Sequence, residues 1–275
     1  MSLIIVASAK GSPGASTTAL AMASQWPRQS LLAELDPLGS DLLYRQVDES
    51  GMDLNPNKGM FSLALPARGV LTPDVVREHT QRLPGGLEVL VGLTKPEQGA
   101  GWSEHWDKLG RCLAAPGTTD IIADIGRYHP GAPTAALLRH ASLVLLVSRA
   151  APEDLAHVRS RAANVIAQTS SGGRGGAPVG VLVVAPLRQQ AKASDMAATV
   201  LAQGGVPAQV AGVVAHDADA AERLTRLRSA GRIHKTQLMS SVRHIVSNLG
   251  GRFGLGQNSA SAVPAPATSM EGAAR

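Results

Sequence analysis

Aromatic residues make up only 3% of this 275-residue chain, so a core has to be built from Ala, Val, Leu and Ile. The same scarcity argues against a stacking platform for single-stranded nucleic acid, which needs several exposed rings. A single cysteine, Cys112, excludes an internal disulfide framework and a cysteine-based zinc site, and reads as buried and inert. No apolar run reaches the ~18 residues that a membrane-spanning helix needs. None of the eight histidines pair at metal-ligand spacing, and His129, His140 and His157 read as surface or capping residues. Ser-His-Asp chemistry has no local support, because no Gly-x-Ser-x-Gly elbow is present. The opening Met1–Val6 carries no basic leader before its short apolar run, so it does not read as a secretion signal, and a cytoplasmic protein is expected.

What is present suits a folded α/β protein. Apolar residues reach 44%, an ordinary globular share. Short, continuous apolar runs at 3–7, 31–35, 87–91, 120–123, 142–147, 179–184 and 209–214 predict strands covered on both faces. Segments with helical spacing lie between them, at 17–25, 73–81, 103–114, 133–140, 152–168, 191–203 and 218–228. This alternation predicts a doubly wound, mostly parallel sheet with helices on both faces. Trp102 and Trp106, four apart, are expected on one helix face against the sheet. A Gly-rich stretch at 170–178 is expected to be a loop, residues 1–253 one domain, and 254–275 a disordered Gly/Ser/Ala/Pro-rich tail.

The net charge of +5 is local. Between Glu222 and Arg243 the chain carries Arg223, Arg226, Arg228, Arg232, Lys235 and Arg243 against Glu222 alone. This window reads either as a solvated helix face or as a contact for a phosphate-rich or anionic partner. An apolar stripe at 237–249 (Leu238, Val242, Ile245, Leu249) is expected to pack as the last helix of the domain rather than on a membrane.

The chemistry sits after the first strand, in Ala9-Lys10-Gly11-Ser12-Pro13-Gly14-Ala15-Ser16-Thr17-Thr18. A strand, a Gly-rich turn and a helix start are the setting in which backbone N–H groups and the helix dipole cradle phosphate. Gly11 and Gly14 permit close backbone approach, and Ser16 and Thr17 offer hydroxyls to a nucleotide-bound Mg²⁺. The usual P-loop spacing is not met, because Ala9 stands at the first Gly and Ala15 at the Lys. Two more segments follow in order: Leu31-Leu32-Ala33-Glu34-Leu35-Asp36-Pro37-Leu38-Gly39-Ser40-Asp41, and Asp120-Ile121-Ile122-Ala123-Asp124-Ile125-Gly126.

Together the three segments resemble the ParA/MinD family of P-loop ATPases, with a SIMIBI-type fold and the deviant Walker A motif Lys-Gly-Gly-x-Gly-Lys-Thr-Thr. Lys10, Gly11, Gly14 and Thr17 match that motif, and Ser16 keeps a hydroxyl. The resemblance implies a phosphate loop of Lys10, Gly11, Ser12, Pro13, Gly14, Ala15, Ser16 and Thr17. It implies Ser16 and Asp124 at Mg²⁺, Asp36 beside the attacking water, and Lys10 reaching the phosphates of a partner subunit. Asp36 and Lys10 are thus the candidate catalytic residues, and ATP with Mg²⁺ the expected ligands. It also implies a homodimer, a protein partner in a chromosome-partitioning, division-site, secretion or pilus machine, and non-specific DNA contact through Arg223, Arg226, Arg228, Arg232 and Lys235. His216-Asp217 either lines the base pocket or caps a helix.

Ala15 removes the in-chain ammonium that touches the phosphates. Losing a charge-assisted contact of ~1.5–3 kcal/mol weakens affinity roughly 10- to 150-fold, and slow or absent hydrolysis follows. That loss is similar to TadZ-type members, which localise pilus assembly, although the receiver-like domain many of those carry is not in this sequence. Arg127 and Arg149 read first as surface arginines paired with nearby acids, and second as replacement cations for the phosphates. The alternative function is a nucleotide-independent scaffold. A metabolic kinase or synthetase would need a substrate constellation that the sequence does not display.

Overall fold

The computed structural model describes residues 1–170, 176–226 and 233–255. Its eight strands are β1 Leu3–Ser8, β2 Ser30–Glu34, β3 Gln81–Arg82, β4 Glu88–Leu90, β5 Asp120–Arg127, β6 Leu143–Arg149, β7 Val179–Ala185 and β8 Ala208–Ala215. They form one sheet in the order β3-β4-β2-β5-β1-β6-β7-β8. Every pairing is parallel except β3 with β4. The nine α-helices of the described residues are α1 Ala15–Ser24, α2 Leu42–Arg45, α3 Met60–Leu63, α4 Pro73–Glu78, α5 Trp106–Leu113, α6 Pro152–Ser170, α7 Gln190–Gln203, α8 Ala218–Thr225 and α9 Gln237–Phe253.

Two cores follow from the pleat. Successive side chains of β1 go to opposite faces. Leu3, Ile5 and Ala7 join the core under α5, α6 and α7, whereas Ile4 and Val6 join the core under α1, α8 and α9. Each large apolar side chain so enclosed contributes ~1.5–3 kcal/mol. That double coverage is why the strand runs are apolar without alternation. β1 lies centrally, between β5 and β6, so the crevice at its carboxyl end is where a doubly wound sheet takes a ligand.

Local signals set several helix ends. Thr72 caps α4 ahead of Pro73, Thr236 caps α9 through the Met239 N–H, and Gly254 ends α9 in the left-handed conformation. The stripe Leu238, Val242, Ile245 and Leu249 is buried, so α9 packs on the domain as expected. Cys112 is buried, and burial pushes its thiol up to about 11.

Some expected boundaries need correction. Trp102 and Trp106 do not share a helix: Trp102 ends a 3₁₀ turn, Pro96–Trp102, and Trp106 opens α5. Their rings still meet inside the core at 5.7 Å, and Trp102 donates to the Met60 carbonyl. The helix expected at 73–81 stops at Glu78, because Gln81 and Arg82 pair with β4. The segment 133–140 winds as a 3₁₀ helix, and α8 ends at Thr225 rather than at 228. Most of 170–178, and the tail from 256 onward, lie outside the described residues. Among the described residues, no helix is long and apolar enough to cross a membrane.

Candidate nucleotide site

The loop between β1 and α1 has the geometry its glycines allow. Gly11 and Gly14 take φ of +66° and +94°, values that side chains with a Cβ rarely adopt. Gly14 serves as the N-cap of α1, and its carbonyl accepts the first helical bond, from the Thr18 N–H at 2.9 Å. Among the described residues, no backbone N–H of Gly11, Ser12, Gly14, Ala15, Ser16 or Thr17 has a hydrogen-bond partner. These donors converge at the positive end of α1, an arrangement that attracts an anion. Helix α1 is Ala-rich and buried on most of its surface, so the loop sits on a rigid support.

Asp124, near the end of β5, is buried and accepts from the Gly126 N–H at 3.0 Å, and the nearby Ser16 hydroxyl favours its charged form. Burial is the main cause that pushes its carboxyl up to about 6, and the negative charges of Asp36 and Asp41 add to it. A small cavity of about 30 Å³ lies against Ser16, Thr17, Glu34, Asp41 and Asp124. The donors are all oxygens, as a hard cation such as Mg²⁺ prefers. No group of three His, Cys, Asp or Glu side chains able to hold a metal occurs among the described residues, so phosphate and water would complete any Mg²⁺ shell. Mg²⁺ commonly binds this way, through one or two protein oxygens plus substrate phosphates.

Asp36 follows β2 and is half-buried. Its Oδ1 accepts from the Leu38 N–H at 2.9 Å, and burial raises its carboxyl above the usual range while Arg127 opposes that shift. The carboxylate lies over Gly126, where φ is +65° and where any Cβ would fall on Asp36. Gly126 is therefore fixed by both its backbone and its neighbour.

Sequence reasoning passed over Glu34, which is buried and faces Asp124 across the β2–β5 ladder. One of its oxygens accepts from Ser40 Oγ and from the Gly92 N–H, and the other accepts from the N–H groups of Asp41 and Leu42. Glu34 thus clamps the segment after Asp36 to the end of β4. Desolvation nevertheless pushes its carboxyl up to about 7. Gly92 has to lack a side chain here, since a Cβ would lie 3.0 Å from the Glu34 carbonyl oxygen. The available signal was a lone acid inside an apolar strand.

The remaining site residues are placed as follows. Lys10 is exposed, with Nζ 3.0 Å from Nε2 of His157 on α6. Ala15 is buried and Pro13 is buried. Arg127 and Arg149 form no ion pair among the described residues, contrary to their first reading; both donate to loop carbonyls, Gly11 at 3.2 Å and Ser12 at 3.1 Å. Asp217 accepts from the Ala220 N–H at 3.0 Å, capping α8 as the second reading has it, and with His216 it lines a cavity. The cavity, about 570 Å³, runs from Ser12, Pro13, Gly14 and Thr17 past Arg149 to His216. Its size suits a small ligand.

Arg223 is exposed on α8, Arg226 pairs with Glu222 at 3.5 Å, and Lys235 is exposed beside α9. Arg228 and Arg232 lie outside the described residues. A wider groove of about 1280 Å³ runs between α7 and α9 along β8, with Lys235 and Arg252 on its wall. It has no phosphate-type loop.

No family model and no curated protein match the chain. Solved structures do. A ParA family ATPase from Chlorobium tepidum TLS superposes with a TM-score of 0.68 at 16% identity, covering 90% of this chain and 99% of that one. The cell division ATPase MinD of Pyrococcus furiosus gives 0.65 at 14% identity over 91% and 99% of the two chains. A putative plasmid partition protein of Borrelia burgdorferi B31, solved bound to AMPPNP, gives 0.64 at 14% identity, with 91% and 99% covered. At these identities the likeness concerns architecture, and this chain has the fold of the ParA and MinD ATPases.

Proposed function

We propose that the chain is an ATP-binding switch of the ParA/MinD type, which positions cellular cargo through a nucleotide-dependent homodimer and hydrolyses ATP slowly or not at all. The observation that carries the reading is the loop of unpartnered N–H groups at the head of α1, which borders the 570 Å³ cavity, with Asp124 against a separate small cavity that shares Thr17 with it. The first N–H groups of any helix lack an intrahelical partner; here those of Gly11 and Ser12 in the loop add to them, which supports an anion as the missing acceptor. In the site, the loop amides of Gly11 to Thr17 bind and orient the phosphates, while His216 and Asp217 border the space left for the base. Ser16 and Asp124 would hold Mg²⁺, which, when bound, neutralises phosphate charge. Asp36, which lies over the Gly126 bend, would orient water at the terminal phosphate. Ala15 contributes no cation there, which is the reason for expecting slow turnover.

Lys10 would serve a partner subunit once released from His157. The cargo, in this reading, is a chromosome region, a division site, or a secretion or pilus machine, and the basic residues Arg223, Arg226 and Lys235 are the candidate contact with nucleic acid. A nucleotide-independent scaffold is the second reading, and Ala15 is the residue that favours it. Calorimetric titration of the purified chain with ATP and Mg²⁺, beside a phosphate-release assay, separates the two. Saturable binding that is lost in Asp124→Ala is expected. No binding up to millimolar ATP would leave the scaffold.

A further inference from the structure

The loop carries no cation of its own over the phosphate position. Ala15 ends in a methyl group, and the exposed Lys10 ammonium lies against His157, 3.0 Å from its Nε2. Two cations nevertheless flank the loop. β5 and β6 are the strands hydrogen-bonded to either side of β1, and each ends in an arginine. Arg127 is paired in register with Ser8, the last residue of β1, and donates to the Gly11 carbonyl at 3.2 Å. Arg149 stands two residues beyond the partner of Ser8 on the other side and donates to the Ser12 carbonyl at 3.1 Å. Its second terminal nitrogen lies 3.9 Å from the point where a Cβ on Gly11 would sit. Arg149 also lines the cavity together with Ser12, Pro13, Gly14 and Thr17.

Neither arginine is neutralised by an ion pair among the described residues; the acid that Arg127 influences is Asp36. A guanidinium has five N–H donors, and a single bond to a loop carbonyl leaves the rest for another acceptor. Its planar fork matches the spacing of phosphate oxygens better than an ammonium does.

We propose that Arg127 and Arg149 bind the nucleotide polyphosphate from either side of the loop and together replace, within one chain, the charge that Ala15 has lost. The cation has moved from the helix start to the ends of the two strands that flank β1. The carbonyl bonds preset each guanidinium at the rim of the loop, so little side-chain freedom remains to be lost when phosphate arrives. The inference rests on the nucleotide-binding reading above and deepens it by naming which side chains meet the phosphates.

The test is a fluorescence titration of Mg·ATP into wild type, Arg127→Gln, Arg149→Gln, the double variant, and the double variant carrying Ala15→Lys. Glutamine keeps hydrogen-bonding capacity and removes the charge, and thermal unfolding checks that each variant is folded. Where a glutamine variant does not fold, the lysine variants Arg127→Lys and Arg149→Lys take its place, with a smaller loss expected. Each single change should weaken ATP roughly 10- to 150-fold, as loss of one charge-assisted contact does, and the double variant more than either. Ala15→Lys should recover at least 10-fold of that loss, which arginines that merely brace the loop would not permit. Wild-type affinity in the folded double variant would overturn this inference and leave the nucleotide reading standing. Failure of Ala15→Lys to rescue would also overturn it. Absence of ATP binding in wild type would overturn both.

Discussion

β5 carries a buried aspartate near each end, and the two have opposite surroundings. Asp120, at the amino end, accepts from the Ser2 N–H at 2.8 Å and the Trp26 indole at 2.8 Å, and pairs with Arg28 at 2.6 Å. Asp124, at the carboxyl end, accepts one N–H, from Gly126, with Glu34, Asp36 and Asp41 adding negative charge around it. The first carboxylate is complete within the fold and ties the N-terminal strand and the β2 entry to the sheet. The second has no ion pair of its own, the nearby Arg45 being paired with Asp41 at 3.1 Å, and its burial disfavours the charged form. The two ends of one strand thus hold carboxylates of similar burial and unlike surroundings, and the distinction lies in the partners rather than in the depth.

The sharpest way to break this comparison is to remove each carboxylate. Asp120→Ala leaves a buried N–H and a partly buried indole without their acceptor, while the half-exposed Arg28 stays solvated, and should cost about 1–3 kcal/mol in denaturant unfolding. Asp124→Asn should do the reverse, stabilising the nucleotide-free chain by about 1–3 kcal/mol while abolishing Mg·ATP binding. Equal losses from both would erase the difference.

Acid titration sharpens it next. In the unfolded chain Asp124 ionises at its ordinary value of 3.8, whereas the fold holds its proton up to about 6. The folded state binds more protons in that window, so nucleotide-free wild type loses stability as pH rises from ~4 to ~6. Glu34 extends the window from 4.5 to about 7. The stability gap between Asp124→Asn and wild type should widen across pH 4 to 6 and stay level above. A gap independent of pH would show that Asp124 is not desolvated as described.

The smallest effect is expected at the bend. Gly126→Ala places a methyl group at φ +65° against Asp36, and should cost about 1–2 kcal/mol. Its signature is displacement of Asp36, seen as a slower phosphate release than any change in ATP affinity explains.

Much of this arrangement was legible before the structure. The apolar runs of β1, β5 and β6 announced strands buried on both faces, and the glycines at 11 and 14 announced a tight turn between β1 and α1. Position-by-position signals sufficed there, because each residue acts through its own backbone or its own burial. The rest depended on contacts far apart in sequence. Glu34 acts through Gly92, 58 residues away, and no local pattern reports that clamp. The arginines are on the surface as expected, but neither pairs with an acid among the described residues, and nothing local places Arg149 beside Ser12, 137 residues earlier. The two-residue β3 is held only by its ladder with β4, and the one-turn helices α2 and α3 are too short to show a period.

The most direct test of the central claim is thermal unfolding of wild type and Asp124→Asn at pH 7.5, with and without Mg·ATP. The carboxyl end of the sheet, as a cation-short nucleotide site, predicts a saturable stabilisation of wild type, about 2.7 kcal/mol at 100 times the dissociation constant, and none in the variant. No shift in wild type, or the same shift in both, would contradict it.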